Sequence, residues 1–414
     1  MRPFRPLLSP IFGTREVSME SAMLFEEIIS QFSYVGKIDR VCPLTNITFF
    51  VGAGFGKAWD ERFPTGNDLF TIPREIVFKS DYLSKYLTAS FGVFDSDLTP
   101  SLLKDVVYSI NMQLKYPEIR TRYIDAYNGQ HLLDRIKVII KSNFERTTPL
   151  NHWNESSGKF ELDKVTEDQK LILKFFAFLS EQQSGHLPFP QGIRRHFITT
   201  NYDFLIEIIL DNILGEDDSM FIYQYRGFTP ISVNADESLN ILQDHWLVDN
   251  IIKINGGFEI FRNSPDKNVL DYRKKDFKSL ISNPPVIMLP SKEQDYLDPY
   301  FKSIFPKAVR LLQESKILIL IGYSIPEEDS LIRFILRQFA EDEADSLGKM
   351  IFYIDLKNDE VKREKLDSIF SYMKVRKKED RSFYQLFSGK FTDWIKEVLQ
   401  HAEKRKKRRK VRSV

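Results

Sequence analysis

The sequence predicts an α/β fold, an open Rossmann-like parallel sheet interrupted by an inserted helical block. Three observations carry this. The apolar run Ile47–Val51 passes straight into Gly52-Ala53-Gly54-Phe55-Gly56, the order of a buried strand followed by a turn whose backbone can approach a ligand. Four later apolar runs also stop abruptly in small or polar residues, at Asn201, Asn255, Gly322 and Asp355. Between the first two runs, from about Arg74 to Gln183, the chain shows helical periodicity and few strand signals.

The elements follow in order. Ser18–Phe32 places Leu24, Ile28 and Phe32 at helical spacing, with Ala22 and Phe25 widening the face. The glycine loop comes next. Its G-A-G-x-G spacing departs from the G-x-G-x-x-G fingerprint, and no clear acidic ribose ligand follows about twenty residues on. A nucleotide loop and a plain glycine-rich turn both fit it. Phe63-Pro64-Thr65-Gly66-Asn67-Asp68 is a turn. In the helical block Leu102, Val106 and Ile110 share a face, as do Leu132, Ile136 and Ile140, and Leu171–Leu179 is strongly apolar.

Strand character returns at His196–Thr200, followed by Asn201-Tyr202-Asp203 and a helix over Phe204–Leu210. Phe221–Tyr225 reads as a short strand, Asn250–Ile254 as a strand ending in Asn255-Gly256-Gly257, and Pro284–Leu289 as another short strand. Phe305–Leu312 reads as a helix and Ser315–Ile321 as a buried strand ending in Gly322-Tyr323-Ser324. A helix over Glu327–Phe339, a strand over Met350–Ile354 ending in Asp355, and a helix over Phe391–His401 complete the pattern. In an open parallel sheet such strand ends share one edge, where ligands bind; polar residues there also serve as helix caps.

The expected organisation is residues 1–75 as an N-terminal helix and the start of the sheet with its glycine loop, 76–188 as a helical insertion, and 189–375 as the rest of the Rossmann-like domain. A C-terminal helix (376–403) and a basic tail (404–414) follow.

Composition narrows the class. The chain has 414 residues and a net charge of +1, and no run approaches the eighteen or more apolar residues of a membrane span. A single cysteine, Cys42, rules out an intrachain disulfide and any zinc site needing three or four cysteines. No metal is expected, and a reducing, cytoplasmic setting fits. Lys404–Arg412 holds eight basic residues, which takes the remainder from +1 to −7. Such a tail suits contact with nucleic acid or simple solubilisation.

Four segments together resemble the sirtuin-like NAD-binding family, and within it the bacterial sirtuin-like NADases of anti-phage defence. They are Gly52-Ala53-Gly54-Phe55-Gly56 with the later Phe63-Pro64, Thr199-Thr200-Asn201-Tyr202-Asp203, Lys253-Ile254-Asn255-Gly256, and Gly322-Tyr323-Ser324 with Asp329. The resemblance covers roughly 40–75 and 190–360. It implies NAD+ as substrate. Gly52, Ala53, Gly54, Phe55 and Gly56 would lie along the pyrophosphate and adjoining ribose, with Thr200 beside them. Gly322, Ser324 and Asp355 would lie by the adenosine half.

Asn201 would position the attacking water. Asp203 would either assist electrostatically or brace the loop, serving equally well as a helix cap. The resemblance also implies homo-oligomeric, ring-like assembly and a partner such as a HerA-type ATPase.

Two departures stand out. The family's general-base histidine falls at Asn255, and an amide takes no proton near neutral pH. Asn255 fits a deliberate inactivating substitution, a natural change with another group as base, or a site that binds without turnover. The zinc ribbon of protein-deacylating sirtuins is missing its cysteines, which favours NAD hydrolysis over deacylation. The alternatives are a catalytically silent NAD- or ADP-ribose-binding scaffold and a DNA-binding module led by the tail.

Overall fold

The computed structural model describes residues 21–35, 45–77, 81–93, 96–118, 126–148, 153–180, 193–213, 231–233, 250–264, 267–294, 296, 298–375 and 383–412. Cys42 and the strand expected over Phe221–Tyr225 lie outside the described residues.

The chain opens with helix α1 (Ser21–Val35), strand β1 (Thr45–Val51) and the short helix α2 (Ala53–Trp59). The helical block follows: α3 (Gly66–Phe70), α4 (Arg74–Val77), α5 (Asp81–Phe91), α6 (Pro100–Lys115), α7 (Ala126–Thr147), a hairpin of β2 (Trp153–Asn154) and β3 (Lys159–Phe160), and α8 (Glu167–Ser180). Then come β4 (Ile193–Thr199), α9 (Leu205–Ile213), β5 (Ile231–Val233), β6 (Asn250–Lys253), β7 (Gly256–Ser264), β8 (Lys267–Leu270), α10 (Phe277–Ser282) and β9 (Pro285–Ile287). The chain closes with α11 (Pro299–Glu314), β10 (Ile317–Ile321), α12 (Ser330–Arg337), β11 (Met350–Asp355), α13 (Asp359–Ile369), β12 (Tyr384–Ser388) and α14 (Phe391–Arg412).

Among the described residues the main sheet has six strands in the order β12-β11-β10-β1-β4-β6, all parallel. Counted along the chain this is the doubly wound order 3-2-1-4-5-6, and the direction of winding reverses between β1 and β10. Strands sandwiched by helices on both faces must be apolar throughout. Accordingly all five residues of β10 are buried, as are the last five of β1.

Register makes the edge level. Val51 stands opposite both Thr199 and Ile321, Thr199 opposite Lys253, and Ile321 opposite Ile354. The five abrupt strand ends therefore share one edge, in adjacent strands.

Several of the chain's phenylalanines pack together under the sheet. Phe49 stacks on Phe197 with ring centroids 5.2 Å apart, and Phe25 meets Trp394 of α14 at 4.9 Å. This cluster binds α1, α8 and α14 to one face. Each buried aromatic ring of this kind contributes about 1.5–3 kcal/mol by leaving water.

The structure differs from the periodicity in four places. β6 leads through a two-residue turn straight into a second strand, β7, which Gly256 opens at φ +81°. A second sheet, β5-β8-β7-β9, forms beside the first. β12 joins the main sheet as an edge strand where only a helix was expected. Helix α14 continues to Arg412, through the run read as a tail after His401.

Candidate functional site

The site begins where β1 ends. Gly52 N–H donates to the Ile321 carbonyl at 3.0 Å and Gly54 N–H to the Gly322 carbonyl at 2.9 Å. The two loops cross backbone to backbone. A Cβ on Gly54 would lie 2.6 Å from Gly322 Cα, and Gly322 itself holds φ +58°. Only glycine at both positions permits this crossing at the switch point.

Phe55 anchors the loop from beneath, its buried ring against Phe391 and Phe176. Phe55 N–H is spent on the Gly52 carbonyl. Of the four N–H groups from Gly52 to Phe55, only that of Ala53 lacks a backbone acceptor among the described residues. Gly56 is buried against Phe63.

The neighbouring strand ends are stitched on by amide side chains. Asn201 Nδ2 donates to the Gly52 carbonyl at 3.1 Å, and Asn255 Nδ2 donates to the Thr200 carbonyl at 3.1 Å. One N–H of each NH2 group holds its side chain in place, which leaves Oδ1 as an acceptor, and the second N–H as a donor, for a ligand. Asn201, Asn255, Thr200, Gly322 and Asp355 are all partly exposed, while the strands beneath them are buried. Asn255 is fixed from its other side as well, since its carbonyl accepts from Met288 N–H at 2.8 Å and Tyr202 donates its hydroxyl to the Met288 carbonyl at 2.6 Å.

Ser324 is exposed at the end of β10, and Asp355 Oδ1 accepts from Lys357 N–H at 3.0 Å. Asp329 anchors the β10 loop by accepting from the Tyr323 hydroxyl at 2.7 Å.

Asp203 sits differently from the two asparagines. It is buried, its Oδ1 accepts from Leu205 N–H at 3.0 Å at the start of α9, and burial pushes its carboxyl up to about 6. That is the geometry of a brace for the Thr200–Phe204 turn. His196 is buried within β4, its Nδ1 3.1 Å from Asn250 Nδ2, and burial lowers it to about 3. It stays neutral, three residues before the end of β4.

Beneath Asn255 lies a charged cluster in which Lys253 of the motif meets two glutamates that the motif reading did not include. Lys253, 3% exposed, sets its ammonium 2.7 Å from Glu207 and 2.5 Å from Glu259, both buried, and donates to the Asp203 carbonyl at 2.6 Å. Burial pushes Glu259 up to about 7 despite that ion pair. Its sequence signal was legible: single charges inside the apolar runs FLIEIIL, NIIKI and GFEIF, which demand partners once buried.

Residues 195–376 match the family model described as SIR2-like domain. This stretch is similar to a SIR2-like domain. It holds Asn201, Asp203, Asn255, Gly322, Ser324 and Asp355, and the glycine loop of β1 completes its edge from outside the matched span.

Among solved structures, the chain is similar to one described under the mechanism and regulation of Sir2 enzymes, at 9% identity, covering 94% of this chain and 100% of that one, with a TM-score of 0.35. It is similar also to a Sir2 homologue–NAD complex at 12% identity, covering 92% and 94%, TM-score 0.36. A third is a Sir2 homologue mutant in complex with ADP-ribose, at 12% identity, covering 92% and 96%, TM-score 0.33. These superpositions are loose, and the likeness to the SIR2-like family rests on the matched span.

No curated protein sequence matches the chain. Among the described residues no group of three or more His, Cys, Asp or Glu is placed to hold a metal ion, and no helix is long and apolar enough to cross a membrane.

Proposed function

We propose that the chain is an NAD+ glycohydrolase, cleaving the bond between nicotinamide and ribose at the edge formed by Gly52–Gly56, Asn201, Asn255 and Gly322. The observation that carries this reading is the pair of asparagine side chains, each pinned through Nδ2 so that Oδ1 is its remaining acceptor at the switch point. NAD+ brings its own cationic leaving group. The C1′–N bond breaks with its electron pair going to the nicotinamide ring nitrogen, which becomes neutral. Water adds to C1′ and releases its proton to solvent.

The protein's tasks are to fix the ribose, favour positive charge at C1′ and hold the water. Asn201 Oδ1 suits the last, as an acceptor held in place before substrate arrives. Asn255 orients by the same means but supplies no base, so turnover is slow unless the base is restored. Gly322, Ser324 and Asp355 take the adenosine half, and Thr200, Ala53 and Gly54 line the path between.

The family resemblance supports a wider role: a partner-regulated effector that depletes NAD+ during phage infection, assembled as an oligomer with a HerA-type ATPase. A silent NAD- or ADP-ribose-binding scaffold is the second reading, favoured by the amide at Asn255. The basic run supports a third, a nucleic-acid contact: Lys404, Lys406, Lys407 and Arg408 are exposed on α14.

The test is nicotinamide release from NAD+ by the chain and by Asn255→His and Asn201→Ala variants, at high protein concentration. Release at least tenfold faster with Asn255→His, abolished again by adding Asn201→Ala, supports the enzyme. Binding of NAD+ without release by any variant assigns the scaffold reading instead.

A further inference from the structure

Ile325 has the one positive φ of any non-glycine among the described residues, +49°. A β-branched side chain is poorly suited to that region, and such strain persists only where surroundings enforce it. Ile325 stands one residue after Ser324, on the loop that leaves β10 at the switch point.

Three tethers hold the loop. The Tyr353 hydroxyl donates to the Tyr323 carbonyl at 2.9 Å, and the Tyr323 hydroxyl donates to Asp329. Lys365, from α13, donates through Nζ to the carbonyls of both Ser324 and Ile325. The Ile325 side chain is buried beneath, 1% exposed. The Tyr353 tether lies before the strained residue, and the Tyr323–Asp329 tether spans it without touching its backbone. Lys365 alone among the three grips the carbonyls on either side of the Ile325 N–Cα bond.

We propose that Lys365 is a positioning residue for the adenosine half of the nucleotide, holding Ser324–Ile325 in the left-handed turn that sets the edge of the cleft. This rests on the nucleotide reading of the site given above. The side chain does not reach the reacting bond. It acts through the loop: with the ammonium removed, Ile325 relaxes out of its strained conformation and carries Ser324 with it.

The groups facing Lys365 are Asp355 at the end of β11, Lys357 two residues beyond it and Arg333 of α12. Burial, then the neighbouring Lys357, brings the Lys365 ammonium down to about 8. The clamp therefore carries its charge at neutral pH and loses it in mildly alkaline solution.

The experiment is calorimetric titration of ADP-ribose into the full chain at pH 7 and pH 9, with thermal midpoints recorded for every variant. Lys365→Met is expected to weaken binding at least tenfold at pH 7, while Lys365→Arg stays within threefold of the parent chain. Glycine tolerates positive φ, so in an Ile325→Gly background Lys365→Met is expected to cost less than threefold. The parent chain loses affinity between pH 7 and 9, and Lys365→Arg does not.

Unchanged binding by Lys365→Met overturns the proposal, as does an equal loss in both backgrounds, which would mark Lys365 as a general structural contact. If the parent chain binds no ADP-ribose at either pH, the nucleotide reading itself falls.

Discussion

Lys253→Met tests how the candidate site is supported from below. The substitution keeps an unbranched chain of similar length and removes the ammonium that lies 2.7 Å from Glu207 and 2.5 Å from Glu259. Glu207 is 0% and Glu259 1% exposed, so water cannot take the cation's place. Removing one partner of a buried ion pair costs about 3–5 kcal/mol, because the other is left charged and unsolvated.

Acid offers an escape. Burial has already raised Glu259 to about 7, so it takes up a proton as pH falls and that part of the penalty goes with it, while the lost hydrogen bond to the Asp203 carbonyl, about 1 kcal/mol, stays. The expected destabilisation is therefore about 3–5 kcal/mol at pH 8 and smaller at pH 5, where Glu259 is neutral. Urea unfolding followed by tryptophan fluorescence at both pH values measures it. Adding Glu207→Gln and Glu259→Gln is expected to recover most of the loss at pH 8. An equal loss at pH 5 and pH 8 would refute the reasoning, since it would mean that the ammonium contributes packing rather than charge.

Two further outcomes follow from the geometry. Gly54→Ala places a Cβ 2.6 Å from Gly322 Cα, a contact that neither backbone can relieve alone. It is expected to weaken ADP-ribose binding at least tenfold and to destabilise the fold by about 1–3 kcal/mol, read by titration and thermal melting. Glu259 has its folded pKa raised from 4.5 to about 7 by burial, so its favourable contribution is complete below about pH 4.5 and is lost as pH rises through 7. Glu259→Gln should therefore flatten the pH dependence of stability across that window, by roughly 1 kcal/mol per pH unit, in urea titrations at pH 5, 6 and 7.

The central strands were legible because burial on both faces leaves no room for polar residues. β1 and β10 show it best, and their abrupt ends marked the edge before any pairing was known. What sequence could not supply was pairing over distance. β12, TyrGlnLeuPheSer, is only partly buried at the sheet edge and carries little apolar contrast. The turn at Gly256 broke the strand–helix rhythm, because whether a glycine opens a second strand depends on what waits beyond it, here β9. The asparagines were picked out by motif, but their function as stitches between strand ends needed the carbonyls of Gly52 and Thr200 in place. Lys365 left no sequence signal at all: a lysine on an exposed-looking helix becomes a clamp only when α13 lies beside the β10 loop.

The insertion between β1 and β4 has a kinetic consequence. Val51 pairs with Thr199 on one side and Ile321 on the other, so the middle strand of the sheet waits for partners made much later. Closing such long loops is entropically slow, whereas the α6–α7 contacts are local and can form early. Synthesis therefore proceeds through a long interval in which the helical block has a framework and β1 has no neighbours. The crossing of Gly54 over Gly322 comes into being only after β10 has emerged, which makes the cleft one of the last features of the molecule to exist.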